Sequence, residues 1–324
     1  MSEAAAEWRS RATRAVLVRR AALLAKARAF FAARGVLEVD TPLVVNSAVT
    51  DVHIESAAVQ LGGAAGVRYL HTSPEYAMKR LLAGGSGDIY QICHVVRGFE
   101  VSRLHNPEFT LIEWYRTSLP CAALMQELEA LVRELLEARA RGRASEQLSY
   151  RDAFLRELAL DPLEASLAEL AHAAARAGYR SAGTAERDEL LEFLMATLIG
   201  PKLGRDALTF IHGYPASQAA LARLDPRDPR TALRFELYCE GVELANGFEE
   251  LTSHAEQRAR FERDREERSR LGLPVPAVDE RLLAALAAGL PACSGVALGF
   301  DRVLMLALGV SRIDEVLSFP QETA

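Results

Sequence analysis

The sequence predicts an α+β fold, and three observations carry that prediction. β-rich runs come in neighbouring pairs joined by polar loops, as in antiparallel hairpins. Helical periodicity is grouped along the chain and does not alternate strand by strand as in βαβ units. A Gly-rich strand, CSGVALG, runs directly into an apolar helix near the end. We therefore expect residues 1–324 to form one domain. Its expected architecture is an antiparallel sheet flanked by helices, with a helical insertion at about 150–203.

The elements follow in order. Residues near 15–34 place Val18, Leu23, Leu24, Ala27, Phe30 and Phe31 at helical spacing, and Gly35 is a natural stop. VLEVDTPLVV reads as a strand broken by Pro42, which suits an edge or an interface. A short strand then leads into a helix from about Pro74, with Ser73 as its N-cap. DIYQICHVV and EFTLIEWYR form a long hairpin with charged residues at its tip. An amphipathic helix at 122–140 runs through Leu124, Leu128, Leu131 and Leu135. The Ala/Leu-rich stretch that follows is helical, with breaks at Pro162 and Gly178. LTFIHGYPASQ returns to strand, and RFELYCEGVELANGF is a second hairpin turning at Glu240–Gly241. A charged helix covers about 253–271 before the closing strand and helix.

Composition narrows the function classes. With 324 residues, 50% hydrophobic and 25% charged, the chain can bury a large core and is neither disordered nor fibrous. A net charge of −6 argues against a protein that wraps nucleic acid. Cys93, Cys121, Cys239 and Cys293 are scattered, with no CxxC pair, so no zinc ribbon or disulfide framework is expected and a reducing cytoplasm fits. The charged N-terminus does not read as a signal peptide, and no stretch reads as a membrane span. The only lysines are Lys26, Lys79 and Lys202, an Arg bias from which no function is drawn.

Three segments put polar groups where a sheet normally places apolar ones. In RGFEVSRLHNPEFTLIEWYR, Phe109, Leu111, Glu113 and Tyr115 share a strand face, so a carboxylate and a phenol sit on an otherwise apolar strand. A strand with one wet face accounts for this equally well. Arg97, Arg103 and His105 beside it suit an anion site or a solvated loop tip. FELYCEGVELANGFEEL gathers Glu236, Glu240, Glu243, Glu249 and Glu250. Such a cluster is either a charged edge or a set of Mg²⁺ ligands, and Glu236 and Glu243 approach each other only if a bulge corrects the register. In SGVALGFDRVLMLALG, Gly295, Ala297 and Gly299 allow close backbone approach. The helix from about Asp301 points its positive end at that gap, and Arg302 lies in its first turn. Walker A and GxGxxG motifs are absent.

RGFEVSRLHNPEFTLIEWYR resembles motif 2 of the class II aminoacyl-tRNA synthetases, VALGFDRVLMLALG resembles motif 3, and the helix and strand ending TPLVV resemble motif 1. HNPEFT, SPEYAMKR and ELANGFEEL are similar to the lysyl-type branch. No anticodon-binding barrel is expected here. That feature, with FIHGYPASQA and CSGVALG, resembles the synthetase paralogues that join (R)-β-lysine to a lysine of elongation factor P.

The resemblance implies ATP as substrate, Mg²⁺ as cofactor and a homodimer. It implies catalytic roles for Arg97 and Arg302. The nucleotide site would comprise Arg97, Gly98, Phe99, Glu100, His105, Asn106, Phe109, Glu243, Leu244, Gly299 and Arg302. The amino-acid site would comprise Ser73, Pro74, Glu75, Glu113, Tyr115, Asn246, Glu250 and Ala297. Glu236 and Glu243 would hold the metal. Two positions depart from the family pattern. Motif 2 reads Arg97-Gly98-Phe99 where Arg-x-Glu is usual, and Ala297 stands where lysyl synthetases carry Gly. The added methyl favours β-lysine over α-lysine. Two rival readings are acylation of tRNA and an inactive paralogue acting as a binding subunit.

Overall fold

The computed structural model of the chain describes residues 8–62, 66–98 and 101–324. In chain order the elements begin with α1 (Arg14–Ala32), β1 (Leu37–Glu38), β2 (Val44–Val45), β3 (Ala58–Val59), β4 (Arg68–Leu70) and α2 (Glu75–Ala83). They continue with β5 (Ile89–Val96), β6 (Glu108–Thr117), α3 (Cys121–Leu136), β7 (Ala144–Ser149), α4 (Tyr150–Leu158), α5 (Leu167–Arg176) and α6 (Arg187–Leu194). The rest are β8 (Ala207–Pro215), β9 (Leu224–Asp225), β10 (Asp228–Cys239), β11 (Val242–Glu249), α7 (His254–Arg270), α8 (Glu280–Gly289), β12 (Cys293–Gly299) and α9 (Phe300–Leu308). The chain divides into two compact units. Unit 1 is Met1–Leu119, Ala130–Arg141 and Thr252–Ala324, and unit 2 is Pro120–Glu129 and Gly142–Leu251.

Unit 1 carries strands in the order β1-β5-β6-β12 and a small sheet ordered β2-β4-β3. The β5–β6 hairpin is antiparallel, with Gln91 opposite Glu113. β12 continues antiparallel along β6, from Cys293 opposite Thr117 to Gly299 opposite Leu111. β1 joins β5 in parallel through two residue pairs, just before the Pro42 interruption. The buried stripe of α1 is Leu23, Ala27, Phe30 and Phe31, whereas Val18 is 54% exposed. Phe31 stacks on Tyr90 at 4.2 Å and meets Trp114 edge-on at 5.3 Å. Burying each such ring stabilises the fold by roughly 2–3 kcal/mol. Trp114 and Ile112 thus face α1, and the two-residue period sends Glu113 and Tyr115 to the opposite face.

The expected Ser73 cap is shifted by one residue, because Pro74 occupies the cap position and α2 starts at Glu75. The Ser73 hydroxyl still accepts the Glu75 N–H at 3.0 Å, and it donates to Glu113. α3 buries Leu124, Leu128, Leu131 and Leu135 as the spacing predicts. It stops short of the expected residue 140 because Glu137 turns to a left-handed φ of 50°.

Unit 2 is ordered β11-β10-β8-β7, with β9 paired to β10. β7 and β8 are parallel, as β1 and β5 are, so the sheet is mixed and not purely antiparallel. The reason is connectivity: α4, α5 and α6 lie between β7 and β8, and a crossover of that length returns the chain in its original direction. Those helices bury Phe154, Leu170, Leu190 and Leu194 in one cluster with Ile211 and Tyr214 of β8. The β10–β11 hairpin turns at Glu240 (φ 55°) and Gly241 (φ 78°), the pair of left-handed residues that a two-residue hairpin requires.

Gly204 carries the strictest backbone constraint. Its φ is +70°, its carbonyl accepts the Glu240 N–H at 2.7 Å, and an added Cβ would stand 2.6 Å from Cys239 Cα. Gly35 has a similar φ, +66°, but opens onto free space. Gly35→Ala is therefore expected to cost about 1 kcal/mol of backbone strain alone. Gly204→Ala adds a clash with backbone that cannot move aside, and should cost about 3 kcal/mol or more. Urea unfolding of the two variants checks this, and equal midpoints would contradict it.

Candidate active site

In unit 1, the floor of the site is the β6 face opposite α1. Ala297 lies directly across from Glu113, Gly295 from Tyr115, and Gly299 from Leu111, so small residues line the strand beside the carboxylate. Glu113 is buried. The Tyr115 hydroxyl donates to its Oε1 at 2.7 Å, and the Ser73 hydroxyl donates to its Oε2 at 2.7 Å. Glu75 stands at the start of α2 and accepts from Lys79 Nζ at 2.6 Å. Lys79 is itself only 1% exposed. Burial pushes the Glu113 carboxyl up to about 7, and the charge of Glu75 adds to this. The two hydroxyl donors and Lys79 pull in the other direction without cancelling it.

The polar loop before β6 supplies a second group. Arg97 Nε donates to the Thr72 carbonyl at 3.3 Å, and its guanidinium lies 5.2 Å from the Phe109 ring centre. The Gly98 N–H donates to the Glu55 carbonyl at 2.9 Å. Phe99 and Glu100 lie outside the described residues. Arg302 Nη2 approaches His105 Nε2 at 2.7 Å. Arginine can only donate, so Nε2 is the acceptor, and the proton on Nδ1 is directed to Ser102 Oγ at 2.7 Å. Asn106 bridges two backbone groups, donating to the Glu108 carbonyl at 2.6 Å and accepting the Gln321 N–H at 3.1 Å.

Unit 2 holds the remaining acidic residues. Glu236 pairs with Asn246 across the hairpin, and the register slips between Leu237 and Tyr238 so that Tyr238 faces Glu243. Leu244, buried, is the extra residue of this bulge. In an unbroken ladder Glu243 would fall on the opposite face from Glu236; the slip places both on one face. Glu236 is held on both oxygens, by Arg234 Nη2 at 2.6 Å and by the Tyr238 hydroxyl at 2.7 Å. Arg234 also donates to the Gln218 carbonyl at 2.8 Å and to Asn246 Oδ1 at 3.3 Å, and it lies 4.3 Å over the Tyr214 ring. Burial disfavours its charge, but Glu236, Tyr214 and Glu243 together outweigh burial and raise the proton affinity of the guanidinium. Glu250 is buried at the end of this hairpin.

The sequence has relatives among known proteins. A profile of the family described as "tRNA synthetases class II (D, K and N)" matches residues 1–323. The chain belongs to this class II family. A Proteus mirabilis (strain HI4320) protein named "Elongation factor P--(R)-beta-lysine ligase" is 50% identical over 326 residues, covering 99% of both chains. Proteins of the same name from Klebsiella pneumoniae (strain 342) and Salmonella typhi are 48% and 47% identical over the whole of each chain. The stretches that resemble motifs 2 and 3 form the β5–β6 hairpin and β12 with α9, and the stretch that resembles motif 1 forms α1 and the short strands broken at Pro42.

Sequence reasoning missed three residues that hold these carboxylates. Lys79 neutralises Glu75, and its i,i+4 spacing in SPEYAMKR was the available signal. Arg234 and Tyr238 hold Glu236 from two residues either side, and the period of RFELY was the signal there. All four cysteines are free, and no described helix is long and apolar enough to cross a membrane.

Two predictions follow from these charges. The Glu113 carboxyl is raised from 4.5 to about 7 in the folded protein, which therefore holds that proton more tightly than the unfolded chain does. Stability should fall as pH rises through that window, by about 3 kcal/mol in total. Glu113→Gln should accordingly raise the melting temperature at pH 8 but not near pH 4, as scanning calorimetry would record. Arg234→Met strands Glu236 as a buried charge and should cost about 3–5 kcal/mol. Adding Glu236→Gln should recover much of that loss, and a double-mutant cycle showing simple additivity would refute the coupling.

Proposed function

We propose that the protein uses ATP to activate (R)-β-lysine as an aminoacyl-adenylate. It then transfers the β-lysyl group to the ε-amino group of a lysine on elongation factor P. The observation that carries this reading is Glu113, a buried carboxylate with two hydroxyl donors, no arginine partner and an alanine methyl directly across the sheet. Such a group calls for a cationic ligand. The names of the full-length relatives support the same substrate and acceptor.

In the first step the β-lysine carboxylate attacks the α-phosphorus in line, and pyrophosphate leaves. Arg97 stabilises charge on the α-phosphate, and its lean against Thr72 and Phe109 presets its direction. Phe109 stacks on adenine while Arg302 covers the other ring face, with His105, Asn106, Gly98 and Gly299 completing the nucleotide site within unit 1. Within unit 1, Glu113, Tyr115, Glu75, Ser73 and Pro74 receive the amino acid's two ammonium groups. In the second step a neutral ε-amine attacks the activated carbonyl, AMP leaves, and the amine's proton departs to solvent. Positioning and charge stabilisation supply the catalysis, with no covalent enzyme intermediate.

Glu236 and Glu243 fit Mg²⁺ in donor chemistry. They are hard carboxylates on one face, and among the described residues no third His, Cys, Asp or Glu completes a protein-only shell. An ion that takes its other ligands from phosphate and water suits that pair, and would offset the charge of the triphosphate. Ala297 narrows the space beside Glu113 by one methyl. A difference of that size is worth about 1–3 kcal/mol between lysine isomers. The same reading includes a cytoplasmic homodimer built through the segment around Pro42.

The test is pyrophosphate exchange into ATP followed by intact-mass analysis of elongation factor P. Exchange should depend on (R)-β-lysine and be weaker with α-lysine. Arg97→Ala should lower it by a factor on the order of 10³. Elongation factor P should gain one lysyl unit. Charging of bulk tRNA in place of the factor, or no exchange at all, would overturn the proposal.

A further inference from the structure

Asp301, the second residue of α9, is 1% exposed. Its Oδ1 accepts from Arg20 Nη1 at 2.5 Å, and its Oδ2 accepts the Thr110 N–H at 2.7 Å. Arg20 closes the ring by donating from Nη2 to Thr110 Oγ1 at 2.6 Å. The guanidinium also lies 5.1 Å from the Phe300 ring centre. Three elements of unit 1, namely α1, β6 and α9, are therefore joined by one planar fork and one carboxylate.

The ring is placed where the β6–β12 ladder ends. The last ladder pair is Leu111 with Gly299, and the next N–H along β6, that of Thr110, goes to Asp301. The carboxylate thus continues the ladder by one bond beyond the strand. Thr110 follows Phe109, and Asp301 precedes Arg302, so the ring grips the residue next to each half of the proposed adenine sandwich. A carboxylate at a helix N-terminus is already favourable without a cation beside it. What Arg20 adds is geometric, since its fork fixes Asp301 and Thr110 relative to each other.

We propose that Arg20 is a positioning residue for ATP: through Asp301 and Thr110 it sets the separation of Phe109 and Arg302 to that of a bound adenine. This rests on the nucleotide site proposed above. Misplacement of either face by about 1 Å weakens the nucleotide strongly, because both faces must touch the ring together. The amino-acid pocket lies farther along β6, at Glu113, and should not respond.

The experiment compares the full-length parent with Arg20→Met, Arg20→Lys and Thr110→Val. Calorimetry measures binding of Mg·ATP and, separately, of (R)-β-lysine, with melting temperature as the fold control. Arg20→Met should weaken ATP about tenfold or more while leaving β-lysine within about twofold. Arg20→Lys should recover part of the loss, since a point charge serves Asp301 but cannot also reach Thr110. Thr110→Val removes only the Arg20–hydroxyl bond, and should shift ATP binding in the same direction by less; it covers the case in which Arg20→Met does not fold. Equal weakening of both ligands alongside a lowered melting temperature would mark a merely structural role and overturn the proposal. So would ATP binding within twofold of the parent in both Arg20→Met and Thr110→Val. A parent that binds no ATP would instead remove the nucleotide site itself.

Discussion

A carboxylate inside a strand covered on both faces is the constraint around which this protein is arranged. β6 is buried from Thr110 to Tyr115, so neither face is available to water. One face is closed by the aromatic packing of α1 on Trp114, which leaves the other to carry Glu113. An ionised carboxylate there is costly without partners. Ser73 and Tyr115 each donate one hydrogen bond, and both are positioned by the backbone: one at the start of α2, the other two residues along the same strand. The small residues of β12 keep the space beside it open.

The two units meet the same problem with the same local device and then diverge. In each, a buried glutamate accepts from a tyrosine two residues later at 2.7 Å: Glu113 from Tyr115, Glu236 from Tyr238. The difference lies two residues earlier. Glu236 follows Arg234 and is neutralised by it, whereas the corresponding position before Glu113 is Leu111. One carboxylate is thereby charge-balanced by the chain itself. The other has no such arginine, and burial raises its proton affinity despite the charge of Lys79.

What was legible in the sequence was what local geometry determines. The two-residue period alone put Glu113 and Tyr115 on one face. The Glu240–Gly241 turn followed from residue type, and with it the need for a bulge to bring Glu236 and Glu243 together. What was not legible depends on chain crossings. The parallel pairings of β1 with β5 and β7 with β8 follow from where long connections return the chain, which no local pattern records. Arg20 and Asp301 are separated by 281 positions; Asp301 reads as a helix start, and no local pattern marks Arg20 as its partner. Lys79 was set aside within a compositional bias, although its spacing from Glu75 was in view.

On the proposed function, the lack of an arginine two residues before Glu113 also bears on which amino acids the site would accept. A fixed arginine would have satisfied the carboxylate, and any ligand ammonium would then compete with it. Instead Glu75 is already matched by Lys79, and burial lifts the Glu113 carboxyl to about 7, so these two carboxylates together carry little net charge near neutral pH. A ligand with a second ammonium exchanges itself for the Glu113 proton and gains two hydroxyl-supported contacts to a carboxylate. An amino acid with an apolar side chain of the same length offers no such exchange and leaves a buried polar group without its partner. Sites of that kind discriminate by factors on the order of 10⁴, far beyond what a single methylene achieves. On the proposed function, selection for a diamino acid would therefore come from the polar strand face, and the finer choice between isomers would fall to the methyl of Ala297 across the sheet.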